Sequence, residues 1–113
     1  METALHSQDT ENTILVSVSV QILDDLDPEE FRLLAKSAGA DIAEHIHVQR
    51  FKPDAKYFIG SGKAEEIAGR VEALEIGLVI FDQTLTPSQE RNLSRVLKCR
   101  VIDRTRLDRK SVV

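Results

Sequence analysis

The sequence has few of the residues that build disulfides or aromatic surfaces: one cysteine (Cys99), no tryptophan, one tyrosine and four phenylalanines. A lone cysteine forms no internal disulfide, which agrees with a reducing compartment. So few aromatic residues predict an aliphatic core and argue against an extended platform for stacking nucleic-acid bases. The N-terminus lacks a signal-peptide pattern, and no apolar run approaches the roughly 20 residues of a membrane-spanning helix. We therefore expect a cytoplasmic location.

Length and charge set further limits. At 113 residues the chain is large enough for one small domain. The formal net charge of −4 is uneven, because residues 1–30 contain eight acidic residues and no Lys or Arg, whereas residues 90–113 contain eight Lys or Arg and three acidic residues. The basic end could face phosphate groups, or it could be a solvated face without a partner.

Apolar patterns predict four main strands, at 13–21, 41–49, 78–81 and 99–103, and a further short strand at 57–59. The segment 78–81 is apolar throughout, as expected for a parallel strand that is covered on both faces.

Three helices are predicted from N-cap patterns at Asp27, at Ser61 or Gly62, and at Thr86. The second helix is expected to end at Gly77, because glycine favours helix ends. Alternating strands and helices imply right-handed crossovers between parallel strands. We predict a small three-layer α/β domain, with a mainly parallel sheet of about four strands and three flanking helices. It occupies residues 13–105, between a disordered leader (1–12) and a short basic tail (106–113).

The segment 60–63, Gly-Ser-Gly-Lys, invites a nucleotide-binding interpretation, because glycine turns before helices expose N–H groups to phosphate. The Walker A motif needs glycine where Tyr57 stands and Ser or Thr where Ala64 stands. The segment is therefore not a P-loop. A tight turn into a helix, with Lys63 solvated, is one interpretation, and a weak anion contact is the other.

Two carboxylates, Asp82 and Asp103, end predicted strands, where open α/β sheets usually bind ligands. They could serve an enzyme as metal ligands or a base, but no histidine joins them by spacing. His45 and His47 share one strand face without a third ligand, which is more typical of a solvated face than of a zinc site. We expect no catalytic residue and no metal site.

The polar start of the third helix allows two roles. Glu90, Arg91 and Asn92 could serve the electrostatics of the helix start, where acidic residues are favoured, or they could dock a neighbouring domain or RNA phosphates. Arg104 and Thr105, after the last strand, offer the same choice.

Three segments together carry a family resemblance: YFIGSGKAEEI at 57–67, FDQTLTPSQERNL at 81–93 and VIDRT at 101–105. Their order and spacing resemble the N-terminal domain of the HflX family of ribosome-associated GTPases. The likeness spans about residues 13–105. The positions that match the family pattern are Gly60, Gly62, Lys63, Asp82, Pro87, Gln89, Arg91, Asn92, Asp103, Arg104 and Thr105.

The resemblance implies a GTP-dependent factor that binds the large ribosomal subunit and its RNA. In that family a downstream P-loop domain binds GTP and magnesium, and the N-terminal domain packs on it and influences hydrolysis. Here the sequence continues after Thr105 only as RLDRKSVV. We therefore expect a truncated, non-catalytic form without its own cofactor, serving ribosome association and regulation of a missing GTPase domain. The alternative is a small nucleotide- or anion-binding regulator that uses the 60–63 turn.

Overall fold

The structure, a computed structural model, describes residues 12–20 and 27–105. The predicted leader, apart from Asn12, and the predicted basic tail lie outside the described residues. The strands are β1 (Asn12–Val20), β2 (Asp41–Arg50), β3 (Leu78–Phe81) and β4 (Arg100–Asp103), and the helices are α1 (Pro28–Ser37), α2 (Ser61–Leu74) and α3 (Pro87–Leu97).

All neighbouring strands pair in parallel, in the order β2-β1-β3-β4. Strand β1 pairs with β2 along its whole length, from Asn12 to Val20, but with β3 only from Thr13 to Val16. The C-terminal half of β1 therefore projects beyond β3. This overhang shapes the edge of the sheet at which the candidate residues lie.

The helices cover both faces of the sheet, which confirms the predicted three-layer α/β fold. On one face α1 packs Phe31 and Ala35 against Leu15, Ile80 and Ile102. On the other face α2 and α3 bury a larger aliphatic cluster against the sheet, which includes Ile67, Val71, Leu93, Leu97, Val16, Val79 and Phe81. The core is aliphatic apart from a few phenylalanines, as the composition predicts.

Helix boundaries at α1 and α3 follow local sequence signals. The Asp27 side chain accepts a hydrogen bond from the N–H of Glu29, and Thr86 forms a reciprocal capping box with Gln89. Each cap precedes a proline in the first turn, whose fixed φ suits a helix start. Both predicted caps are confirmed.

Three predicted details are wrong. The segment 57–59 is not a strand, because its hydrogen bonds stay local and Phe58 makes only an isolated antiparallel bridge to Asp54. The N-cap of α2 is Gly60, without a side-chain cap, instead of Ser61 or Gly62. Helix α2 ends at Leu74, before Gly77, since Glu75 takes the left-handed conformation that closes the helix.

Among the helices in residues 27–105, none is long and apolar enough to cross a membrane.

Shortening the buried side chain of Phe31 in α1 tests this packing. Phe31 is 2% exposed, whereas Leu33 on the same helix is 54% exposed. Phe31→Ala should lower the free energy of unfolding by about 3–5 kcal/mol, because it leaves a cavity under α1. Leu33→Ala, the matched control, should change it by less than about 0.5 kcal/mol. Urea denaturation measures both, and equal effects would contradict the assigned packing.

Candidate functional site

The candidate residues gather at the carboxyl edge of the sheet, where the loops after β2, β3 and β4 meet. Asp82 directly follows β3 and Asp103 ends β4, beside Phe81 in the register of the two strands. Both carboxylates are buried, with 2% and 6% of the residue exposed. Buried carboxylates need hydrogen-bond donors, and here main-chain N–H groups supply them.

Asp82 completes the hydrogen bonding of the β1 overhang. Its Oδ1 accepts a 3.0 Å hydrogen bond from the N–H of Val18, a residue that has no β3 partner. The neighbouring Gln83 donates through Nε2 to the carbonyl of Val18, also at 3.0 Å. The two side chains thus supply the hydrogen bonds that β3 would give to Val18 if it continued beyond Phe81. Unpaired backbone groups in this buried position would cost free energy, so Asp82 has a structural task.

Asp103 acts similarly on the loop between β3 and α3. Its Oδ2 accepts a 2.9 Å hydrogen bond from the N–H of Leu85, whose side chain is buried. At the surface of the same loop, the hydroxyls of Thr84 and Thr105 lie 3.2 Å apart. The loop that leads into α3 is therefore fastened to the end of β4.

Two residues of α3 reach across to the loop that follows β2. Buried Gln89 accepts through Oε1 from the N–H of Thr86 at 2.9 Å and donates through Nε2 to the carbonyl of Asp54 at 2.8 Å. One turn later, Asn92 Nδ2 donates to the carbonyl of Lys56 at 3.1 Å. We call residues 51–59 the clamped loop, because these contacts fasten it to α3.

The turn at 60–63 is shaped by its neighbours. Gly60 has φ +90°, and a Cβ added there would lie 2.6 Å from Arg50 Nη1. That same Nη1 donates a 2.9 Å hydrogen bond to the carbonyl of Ile59. Gly60 therefore permits both the left-handed conformation and the close approach of the guanidinium. Gly62 has open space around it, and Lys63 Nζ pairs with Glu66 at 2.9 Å.

Asp54 organises the interior of the clamped loop. Its Oδ2 accepts hydrogen bonds from the N–H groups of Tyr57, at 2.8 Å, and Lys56, at 2.9 Å. The Tyr57 bond is the main cause that holds the pKa of Asp54 below its ordinary value, against the opposing effect of desolvation. Its carboxylate is thus stabilised in the charged form by the loop that it holds.

Arg91 and Arg104, two of the positions that match the family pattern, each line a shallow groove. Exposed Arg91 lies with Arg95 and Arg100 along a groove of about 360 Å³ between α3 and β4. Glu90 adds one negative charge there. Arg104 lines a second groove of the same size, against Asp27 and other residues of the α1 side. The residues that the sequence predicts as a site therefore lie in two kinds of place: the carboxyl edge of the sheet and the two grooves.

The two strand histidines do lie on one face, with ring centroids 4.4 Å apart. His45 Nε2 is 2.7 Å from the hydroxyl of Ser17. Burial lowers the pKa of His45, with smaller contributions in the same direction from His47 and Arg32, whereas Glu29 raises it. Within residues 12–20 and 27–105, no group of three or more His, Cys, Asp or Glu side chains is placed to hold a metal ion.

Sequence reasoning missed three residues that build this edge: Arg50, Asp54 and Gln83. For Asp54 a local signal existed, since aspartate after proline is typical of turns. The partners of Arg50 and Gln83 depend on tertiary contacts, and no sequence pattern indicates them.

Comparison with known proteins identifies the family of this chain. A family model described as "GTP-binding GTPase N-terminal" matches residues 25–107. The chain is 47% identical over 98 residues to GTPase HflX of Escherichia coli strain K12, covering 86% of this chain and 23% of that protein. It is 36% identical over 103 residues to GTPase HflX of Flavobacterium psychrophilum, covering 86% and 24%. The chain belongs to the HflX family and corresponds to its N-terminal domain.

Solved structures agree in fold. The chain superimposes on SsGBP in a GDP complex with a TM-score of 0.68 at 24% identity, covering 88% of this chain and 28% of that one. A GTP-binding protein from the archaeon Sulfolobus solfataricus, also with GDP, gives a TM-score of 0.64 at 21% identity, covering 88% and 30%. The chain thus spans about a quarter of the length of its HflX relatives.

Removal of the Asp82 acceptor tests its structural task. Asp82→Ala should lower the free energy of unfolding by about 1–3 kcal/mol, because the buried N–H of Val18 loses this acceptor. Asp82→Asn keeps an oxygen acceptor and should cost less. Glu72→Ala, on the exposed face of α2, serves as the control. Urea denaturation measures all three, and an Asp82→Ala variant as stable as the parent would refute the assignment.

The lowered pKa of His45 makes a signed prediction for pH. Its neutral form is favoured in the folded state, so its contribution to stability is complete above the ordinary pKa of 6.5 and is lost as pH falls through the lower folded pKa. In His45→Gln, the free energy of unfolding should fall less between about pH 7.5 and pH 5 than in the parent chain. Urea titrations at each pH measure this difference, and superimposable profiles would contradict it.

Proposed function

We propose that this chain is a non-catalytic HflX-type domain that serves association with the large ribosomal subunit and regulation of a GTPase region of the family's longer proteins. GTP and magnesium belong, in this proposal, to that other region. The chain spans about a quarter of its relatives, which are named GTPase HflX. The remaining three quarters of their length leave room for such a region.

The proposal rests on the hydrogen bonds that the polar residues of the family pattern form. Four of them hydrogen-bond main-chain groups: Asp82 bonds strand β1, and the other three, Asp103, Gln89 and Asn92, bond the surrounding loops. Side chains committed to backbone groups in this way fix the shape of a surface, which favours a docking role over a reaction centre. Lys63 Nζ pairs with Glu66 at 2.9 Å in the first turn of α2.

The arginine groove supports a partner that carries phosphate. Arg91, Arg95 and Arg100 line it against one acidic residue, Glu90. Guanidinium groups bind phosphate oxygens through paired N–H donors, and a patch of positive charge attracts polyanions over a distance. Ribosomal RNA has the matching chemistry.

Co-sedimentation of the chain with purified large ribosomal subunits tests the proposal. Binding is expected, and it should weaken as salt rises, because phosphate contacts release counterions. The double variant Arg91→Glu, Arg95→Glu should bind at least about ten-fold more weakly, since two charge-assisted contacts are lost. The double variant Arg32→Glu, Lys36→Glu, in α1 on the opposite face of the sheet, is the matched charge control and should bind like the parent chain.

Absence of subunit binding by the parent chain would refute the ribosome role. Titration with GTP and ATP separates the remaining functions. Specific nucleotide binding that is lost in Lys63→Ala would favour the regulator that uses the 60–63 turn. GTP hydrolysis above background would refute the non-catalytic assignment.

A further inference from the structure

The clamped loop carries the most exposed of the large apolar side chains in the described part of the chain. Phe51 is 64% exposed, compared with 54% for Leu33 and 38% for Leu74. Lys52 and Lys56 of the same loop are also exposed. The loop therefore presents one aromatic ring and two ammonium groups to its surroundings.

The main chain of this loop is held from several sides. Arg50 donates to the carbonyls of Lys52, at 3.1 Å, and Ile59, at 2.9 Å. Inside the loop, Asp54 and Phe58 exchange two main-chain hydrogen bonds, of 2.8 and 3.0 Å. The contacts from α3 through Gln89 and Asn92 add to these. A loop fastened in this way loses little conformational freedom when it binds.

Backbone strain at Phe58 also indicates that the loop is held in one conformation. Phe58 has φ +68°, a conformation that is rare for bulky residues, and its side chain is 2% exposed. Strain of this kind persists only where the surroundings over-determine the conformation, and it occurs preferentially at binding and active sites. The buried Phe58 anchors the loop while Phe51, seven residues earlier, stays outside.

The charges that face outward are those of the lysines. The guanidinium of Arg50 is engaged by main-chain carbonyls, and the carboxylate of Asp54 is engaged by main-chain N–H groups. Lys56 Nζ lies 5.3 Å from the centre of the Tyr57 ring. One exposed ring with two neighbouring cations matches a single-stranded nucleic acid, in which a base stacks on the ring and phosphates meet the cations. A protein partner would need a wider apolar area at its centre than one ring offers.

We propose that the clamped loop binds unpaired RNA, with Phe51 stacking on one base and with Lys52 and Lys56 contacting the flanking phosphates. Gln89 and Asn92 are then positioning residues that act through the loop. This inference rests on the proposed function, since the large ribosomal subunit would supply the RNA. A single ring is sufficient for this contact, so it does not require the extended aromatic platform that the composition argues against.

The absence of tryptophan from the sequence permits a direct probe of stacking. Phe51→Trp places the only indole of the chain in the loop, and a short single-stranded RNA of mixed sequence should quench its fluorescence on binding. Leu33→Trp is the matched control, since Leu33 is similarly exposed on α1. Quenching confined to the Phe51→Trp protein supports the contact, and equal quenching or none in both overturns it.

Binding of the same labelled RNA, followed by fluorescence anisotropy, measures the energetics. Phe51→Ala should weaken binding at least about five-fold, the lower end of the measured range for loss of one base–aromatic stack. In the double variant Lys52→Gln, Lys56→Gln, the slope of log K against log salt should become shallower by about 1.4. Leu33→Ala should match the parent chain. An undiminished affinity in Phe51→Ala would overturn the proposal.

Co-sedimentation with large subunits separates this inference from the proposed function. A parent chain and a Phe51→Ala variant that bind subunits equally well would leave the ribosome role intact and overturn the loop contact. A parent chain that binds the RNA through Phe51 but binds no subunits would support the loop contact and refute the ribosome role. Loss of subunit binding in Phe51→Ala without any change in RNA affinity would assign the loop to a protein partner, and it would overturn the RNA contact.

Discussion

The structure depends on how the overhang of β1 completes its hydrogen bonds. Beyond Val16 the strand has β2 on one side but no longer has β3 on the other. Asp82 and Gln83 lie where β3 stops, and their side chains bond the N–H and the carbonyl of Val18. Unpaired buried backbone groups cost free energy. Because these side chains bond the groups that β3 leaves unpaired, the short strand β3 can lie beside the longer β1.

The same solution recurs along the carboxyl edge. Asp103 fastens the loop before α3, and Gln89 and Asn92 fasten the loop after β2. Each bond joins a side chain to the main chain of another segment, so the loops hold one another in place. These polar residues thus build an edge of mutually bonded loops, with Phe51, Lys52 and Lys56 exposed on its outside.

Sequence patterns predicted the parts of this fold whose causes are local. The alternating apolar residues of β1, the continuous apolar run of β3 and the capping box at Thr86 each report a short-range preference, and each is confirmed. The placement of Asp82 and Asp103 at strand ends also followed from the pattern. Their partners did not, because Val18 is 64 residues from Asp82 and no local preference connects them.

The turn at 60–63 shows the same limit. Its glycines and lysine predicted a turn into a helix, which the structure contains. Glycine at position 60 is favoured by its φ of +90°, and the guanidinium of Arg50, ten residues earlier, also lies close to where a Cβ would be. Likewise, the apolar residues 57–59 predicted a strand, but Phe58 is held in a left-handed conformation by pairing with Asp54. A local pairing between residues four apart therefore takes the place of the predicted strand.

Amide hydrogen exchange at Val18 and Leu85 most directly tests the claim that the motif carboxylates serve the backbone. Both N–H groups donate to carboxylate oxygens, of Asp82 and Asp103 respectively. They should exchange as slowly as the central amides of β1, and Asp82→Ala should speed exchange at Val18 by a larger factor than at Leu85, where only the lower global stability acts. Fast exchange at both amides in the parent chain would contradict the account.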